Sequence, residues 1–264
     1  MGVQMTELAE SVAFGGSWDL EWKCPHEHQK KKFEERAEDI EDDYEEDSYA
    51  MNTEFAEQRA QHDLKNNSSK LGRSLGSKPA HDVAVDEKPH DVTVAAHHLI
   101  PGNAALKDSP IMKYISKSKG TIVENIGYNV NSQPNGVWLP GWYAISGWGA
   151  LRTSDPGFCS NYVNATMHET RSQFHDTHAE YSTDVKAKLK EIVVEIEKTG
   201  QAFCPECKKI KENDGKLPPP YGLVNELNRL SGSYRRRVVS GRKWRLPVVT
   251  SDTWATVITS ISLK

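Results

Sequence analysis

The stretch HDTHAEYSTDVKAKLKEIVVEI, residues 175–196, decides the fold class. Thr177-His178-Ala179-Glu180 has the S/T-x-x-E form of a capping box, which predicts a helix with Thr177 as N-cap and Glu180 at its third position. Tyr181, Val185, Leu189, Ile192 and Ile196 then recur at spacings of three and four. They form one apolar stripe on a helix predicted to end at Gly200. His178 lies three residues before Tyr181, so it stands over the stripe and looks into the seam the helix makes with its neighbours. His175 precedes the cap, and helical spacing does not fix its direction.

Towards the N-terminus, VTVAAHHLIP at 92–101 opens with β-branched residues and predicts a short strand that ends at His97 and His98. Neighbours on an extended segment point to opposite sides, so one histidine can face a metal and the other a substrate if the strand bends there. NGVWLP at 135–140 follows the turn-forming NSQPNG and predicts a second extended piece, with a third at 122–130. Asn135-Gly136 taken alone is a hairpin signal, chosen for positive φ. Residues 140–164, rich in Trp and Gly and without helical period, read as a structured loop. Short strands around one strong helix give an α+β fold.

Three polar side chains thus come from three elements. An unperturbed imidazole titrates near neutral pH, so His98 suits a general base. One histidine of the pair could instead face a metal, and a strand, a second strand and a helix each offering one polar side chain to one point make a hydrolytic metal site. The order and spacing of AHHLIP, NGVWLP and HDTHAEY resemble the AHH branch of the HNH (ββα-metal, His-Me finger) nucleases, found largely among bacterial polymorphic toxins. The resemblance covers about 92–196. It implies a ββα-metal core within 83–200 and a metal-dependent endonuclease. It also implies His98 as the base and His97 and His178 as ligands, with His175 a further ligand or a substrate contact. Asn135 would either bind the metal or hold the two strands and orient the base. Imidazole ligands accept Zn or Ni, whereas Mg or Mn suits a site completed by water and phosphate oxygens; all four stay open. The same resemblance implies DNA as substrate and a secreted antibacterial effector acting in the target-cell cytoplasm. Its partners would be a cognate immunity protein and a secretion-system component or chaperone.

Charge divides the chain. Residues 1–91 carry a net charge of −11 and residues 92–264 one of +7, so an anionic partner belongs to the second part. Six acids between Glu41 and Asp47 sit within a stretch lacking Pro and Gly, which predicts an acidic, partly helical segment over 1–65. The Ser-, Gly- and Asn-rich residues 66–82 read as a linker. Residues 201–264 read as a basic C-terminal extension with a short helix near 223–230. Arg235, Arg236, Arg237, Arg242, Lys243 and Arg245 surround Trp244, a pattern suited to phosphates with an aromatic for stacking. Residues 1–16 lack a basic region followed by an apolar run, so no Sec signal is expected and export would take another route. No run is long and apolar enough for a membrane span.

The chain has 4 cysteines, too few for a disulfide scaffold. Cys204-x-x-Cys207 is half of a zinc knuckle, and Cys24 with His26 or His28 offers another half, so a structural Zn is possible on spacing. That pattern supports a rival of another class: a zinc-stabilised, non-catalytic module binding nucleic acid or protein. A second rival keeps the nuclease and makes RNA its substrate.

Overall fold

The computed structural model describes residues 62–119, 122, 124–199, 216, 222–239 and 250–251. The acidic segment before residue 62 and the residues Cys24, His26, His28, Cys204, Cys207, Arg242, Lys243 and Arg245 lie outside that set.

The described chain mixes helices with two small antiparallel sheets, as an α+β reading requires. Helix α1 (Ser68–Leu75) comes first. Strands β1 (His81–Val85) and β2 (Lys88–Val92) form one hairpin, and β3 (Val94–His98) pairs with β4 (Gly136–Pro140) in the other sheet. Between β3 and β4 run a π-helical turn, Gly102–Leu106, and α2 (Met112–Ile115). Helices α3 (Trp148–Ser154), α4 (Pro156–Thr170), α5 (Ala179–Thr199) and α6 (Gly222–Val238) complete the order. No helix among the described residues is long and apolar enough to cross a membrane.

The predicted stripe on α5 is buried along its whole length, from Tyr181 through Val185, Leu189 and Ile192 to Ile196. It packs with Leu99, Ile100, Val137 and Leu139 around β3 and β4, and with Leu223, Leu227, Leu230 and Tyr234 of α6. Burying such side chains stabilises by about 1.5–3 kcal/mol each. A second core unites Val83, Val85 and Val92 of the hairpin with Trp142, Tyr162, Met167 and Phe174.

Four expectations change. The linker assigned to 66–82 holds α1, whose N-cap Asn67 accepts the Lys70 N–H at 2.9 Å. That helix buries only Leu71, so no apolar period announces it. The loop assigned to 140–164 contains α3 and most of α4, which starts at the N-cap Asp155 with Pro156 behind it. The short helix expected near 223–230 is longer, and α6 continues through Arg235, Arg236 and Arg237. Because α6 supplies Leu223, Leu227 and Tyr234 to the main core, Gly222–Val238 is part of the fold rather than an appendage.

Gly136 also differs in kind. Its φ is −125°, so it is not chosen for a left-handed turn. A Cβ there would lie 2.5 Å from Leu71 Cδ1, and the missing side chain is what lets α1 lie against the β3–β4 ribbon.

Candidate metal centre and its flanking base

The antiparallel register pairs His97 with Val137 and His98 with Gly136. Paired residues share a face and neighbours alternate, so the two histidines stand on opposite sides of the ribbon. His98 is on the side of Ala96, Trp138 and Gly136, where α1 packs. His97 is on the side of α5. Among the described residues β3 has no strand on its other edge.

On the α5 side, His97, His175 and His178 each offer a ring nitrogen, and these atoms all lie within 4.8 Å of one another. Helix α5 begins at Ala179, and the His178 carbonyl accepts the Ser182 N–H at 3.3 Å. His178, not Thr177, therefore occupies the cap position. His175 is held from its backbone, where its N–H donates to the Pro140 carbonyl at 2.7 Å. A Cβ on Gly141 would lie 2.7 Å from the His175 carbonyl oxygen, so the glycine permits this approach. The Tyr143 hydroxyl lies 2.7 Å from His175 Nδ1, which leaves Nε2 of that ring for a ligand. Tyr181 closes the floor: its ring lies 5.3 Å from that of His97, and its hydroxyl donates to the Leu99 carbonyl at 2.7 Å.

The cluster fits a divalent ion on its own geometry. His97 is buried and its Nε2 has no hydrogen-bond partner, an expensive state for a polar atom unless a cation occupies the third side. Burial holds His97 well below the ordinary imidazole range, with His175, His178 and His98 adding to the effect. Burial, helped by His178, pushes His175 down to about 4. Neutral imidazoles are the form that binds metal.

On the opposite side, His98 Nε2 lies 3.0 Å from Asn131 Oδ1. The amide cannot be turned, because Asn131 Nδ2 donates to Asp63 Oδ2 at 3.0 Å and to the Lys65 carbonyl at 2.9 Å. Its Oδ1 also accepts the Asn67 N–H at 2.9 Å. His98 Nε2 therefore carries the proton and Nδ1 is the basic nitrogen. Burial lowers the His98 imidazole, and the bond to Asn131 partly restores it.

Asn135 is fully buried and fully bonded. Its Oδ1 accepts the Ile100 N–H at 2.8 Å and the Ser231 hydroxyl at 2.9 Å. Its Nδ2 donates to the carbonyls of Ile100 at 3.0 Å and Val130 at 2.9 Å. Of the two roles open to it, the side chain has the contacts of the strand-holding one, and no atom is left for a metal.

Arg235 corrects another expectation. Its Nη2 donates to the carbonyls of Gln133 at 2.5 Å and Gly136 at 2.6 Å, so this half-buried guanidinium ties α6 to the start of β4. Arg236 is exposed on α6, and Arg237 stacks 6.0 Å from the Tyr234 ring. Asn131 and Tyr143 have no mark in the sequence, the first inside an Asn-rich turn and the second inside the Trp-rich stretch. Neither position carries a spacing signal.

The family model described as AHH, a nuclease family of the HNH/ENDO VII superfamily with conserved AHH, matches residues 80–213, just over half of the chain. The matched segment includes Ala96-His97-His98, His175 and His178. No curated protein and no solved structure matches the chain.

Proposed function

The chain belongs to the AHH family, a nuclease family of the HNH/ENDO VII superfamily, and on that footing we propose that it is a metal-dependent endonuclease hydrolysing DNA phosphodiester bonds. The observation that carries the metal dependence is the convergence of His97, His175 and His178 around an otherwise unpartnered, buried Nε2 of His97. A divalent ion held there supplies Lewis-acid polarisation of the scissile phosphate and charge compensation for the departing oxygen. His98 works from the other side of β3. Its neutral Nδ1 accepts a proton from water as the water oxygen bonds to phosphorus and the P–O bond to the leaving strand breaks. Asn131 holds the proton on Nε2 during this step and keeps the ring from turning.

The net charge of +7 over residues 92–264 supports a nucleic-acid substrate. The resemblance of AHHLIP, NGVWLP and HDTHAEY to toxin nucleases supports a wider role. In it the protein is an antibacterial effector exported by a non-Sec route, acts in the target-cell cytoplasm and is neutralised in its producer by an immunity protein.

The test is cleavage of plasmid DNA and of structured RNA by purified protein with Mg, Mn, Zn or EDTA. Wild type is compared with His98→Ala, and both are melted. Metal-dependent DNA cutting that is lost in a variant of unchanged melting temperature supports the reading. Cutting of RNA alone moves the substrate, and no cutting with any metal removes the activity. Growth arrest on cytoplasmic expression of wild type, absent with His98→Ala, tests the toxin role.

A further inference from the structure

On the ribbon face that carries His98, an open groove runs beside α1, lined by His62, Asp63, Lys70, Arg73, Ser74 and Asn131. Lys70 and Arg73 are three residues apart on one helix and so present their cations on the same side. The carboxylate in the groove is already engaged. Asp63 Oδ2 accepts Lys70 Nζ at 2.8 Å and Asn131 Nδ2 at 3.0 Å, and these bonds, with the Lys65 N–H, outweigh burial and hold its carboxyl below the usual range. Arg73 is exposed, and its guanidinium has no ion-pair partner among the described residues. His62 Nδ1 is shut away from water in the groove wall without a hydrogen-bond partner. His62 is thus part of the wall rather than a contact, and the unpaired Arg73 guanidinium beside the Lys70–Asp63 pair leaves the groove a net positive charge that suits an anion.

The groove also has a fixed relation to the base. Asn131 lines it and bonds His98 Nε2 through the same side chain, so an anion seated there is one residue away from the imidazole. We propose that this groove binds a backbone phosphate of the substrate strand next to the one attacked, with Arg73 as its principal contact. This rests on the nuclease reading. Arg73 holds the strand at its flank and touches no reacting atom, so it is a positioning residue.

The experiment uses the full chain. Binding of a fluorescent DNA duplex is followed by anisotropy across a salt series with EDTA present, for wild type, Arg73→Ala and Arg73→Lys. Cleavage kinetics with divalent metal and thermal melts accompany it. Arg73→Ala is expected to melt as wild type and to bind about three- to tenfold more weakly at moderate salt. The slope of log affinity on log salt should lose about 0.9, the loss of one phosphate contact. KM should rise with little change in kcat, and Arg73→Lys should recover most of the slope. Wild-type slope and KM in a normally melting Arg73→Ala variant would overturn the groove assignment while wild-type cutting left the nuclease reading in place. Wild-type protein that cuts no nucleic acid would overturn that reading and this one with it. Inorganic phosphate that raises the melting temperature only when Arg73 is present, with duplex binding unaffected by the substitution, would make the groove a free-phosphate site and also overturn the proposal.

Discussion

His97 and His98 are consecutive residues whose side chains leave β3 in opposite directions, one towards His175 and His178 and the other towards Asn131. The two substitutions are therefore expected to separate metal binding from proton transfer. His97→Ala should weaken Zn or Mn binding by about a hundredfold or more in calorimetric titration, since it removes a ligand outright. His98→Ala should leave that affinity within about threefold while abolishing cleavage. The wild-type unfolding free energy should rise with added ion, by about 2.7 kcal/mol at a free concentration of a hundred times Kd. Equal loss of metal affinity in both variants would disprove the separation.

Asn135 makes four hydrogen bonds inside the protein. Asn135→Ala leaves the Ile100 amide and carbonyl and the Val130 carbonyl without partners in a dry interior, at an expected cost of about 2–4 kcal/mol. Urea unfolding measures it. Metal affinity of the folded fraction should stay near that of wild type, and a stable variant with lost metal binding would instead make Asn135 a ligand.

The approach of Gly141 to the His175 carbonyl predicts a selective defect. Gly141→Ala must push that backbone or the Tyr143 ring aside, so metal affinity should fall by about tenfold or more while the main core around α5 keeps its protection in hydrogen exchange. Tyr143→Phe removes only the partner of His175 Nδ1 and should cost about tenfold in metal affinity. Calorimetry on both variants checks the pair, and unchanged affinity would dissociate Tyr143 from the site.

Glu226 gives a pH signature away from the histidines. It is buried on α6, with Oε1 2.6 Å from Arg229 Nη1 and Oε2 without a partner. Burial raises its carboxyl above the ordinary 4.5, and Arg229 opposes the shift. The folded protein therefore holds this proton at a higher pH than the unfolded chain. The cost of the charge is present above the raised value and is relieved as pH falls through it towards 4.5. Glu226→Met should be more stable than wild type by about 1 kcal/mol at neutral pH. That advantage should shrink on acidification, and an advantage that grew at low pH would reverse the assignment.

The features legible in the sequence are those with a repeating physical signal. The α5 stripe has the helical period, and every one of its five predicted positions is buried. The histidines could be grouped because strand, turn and helix signals flank them. Helix α1 could not be read, since one buried leucine among polar residues has no period. Nor could Gly136, whose Asn-Gly sequence signals a turn while its real constraint is the side chain of Leu71. The role of Arg235 is hidden for a related reason: composition shows that cations cluster, not that one of them finds the carbonyls of Gln133 and Gly136. Asn131 acts through partners at 63, 65, 67 and 98, contacts that exist only once the chain is folded.

The bond from Ser231 to Asn135 spans the stretch of chain that separates α5 from α6. Of two fragments divided within that stretch, the first would hold 19 of the 25 buried residues of the main core and the second 6, and each would lack one partner of this bond. Mixed together, they have the complementary surfaces needed to reassemble. Loss of α6 would thus be felt at the start of β4, the strand that pairs with His97 and His98, through the contacts of Asn135 and Arg235.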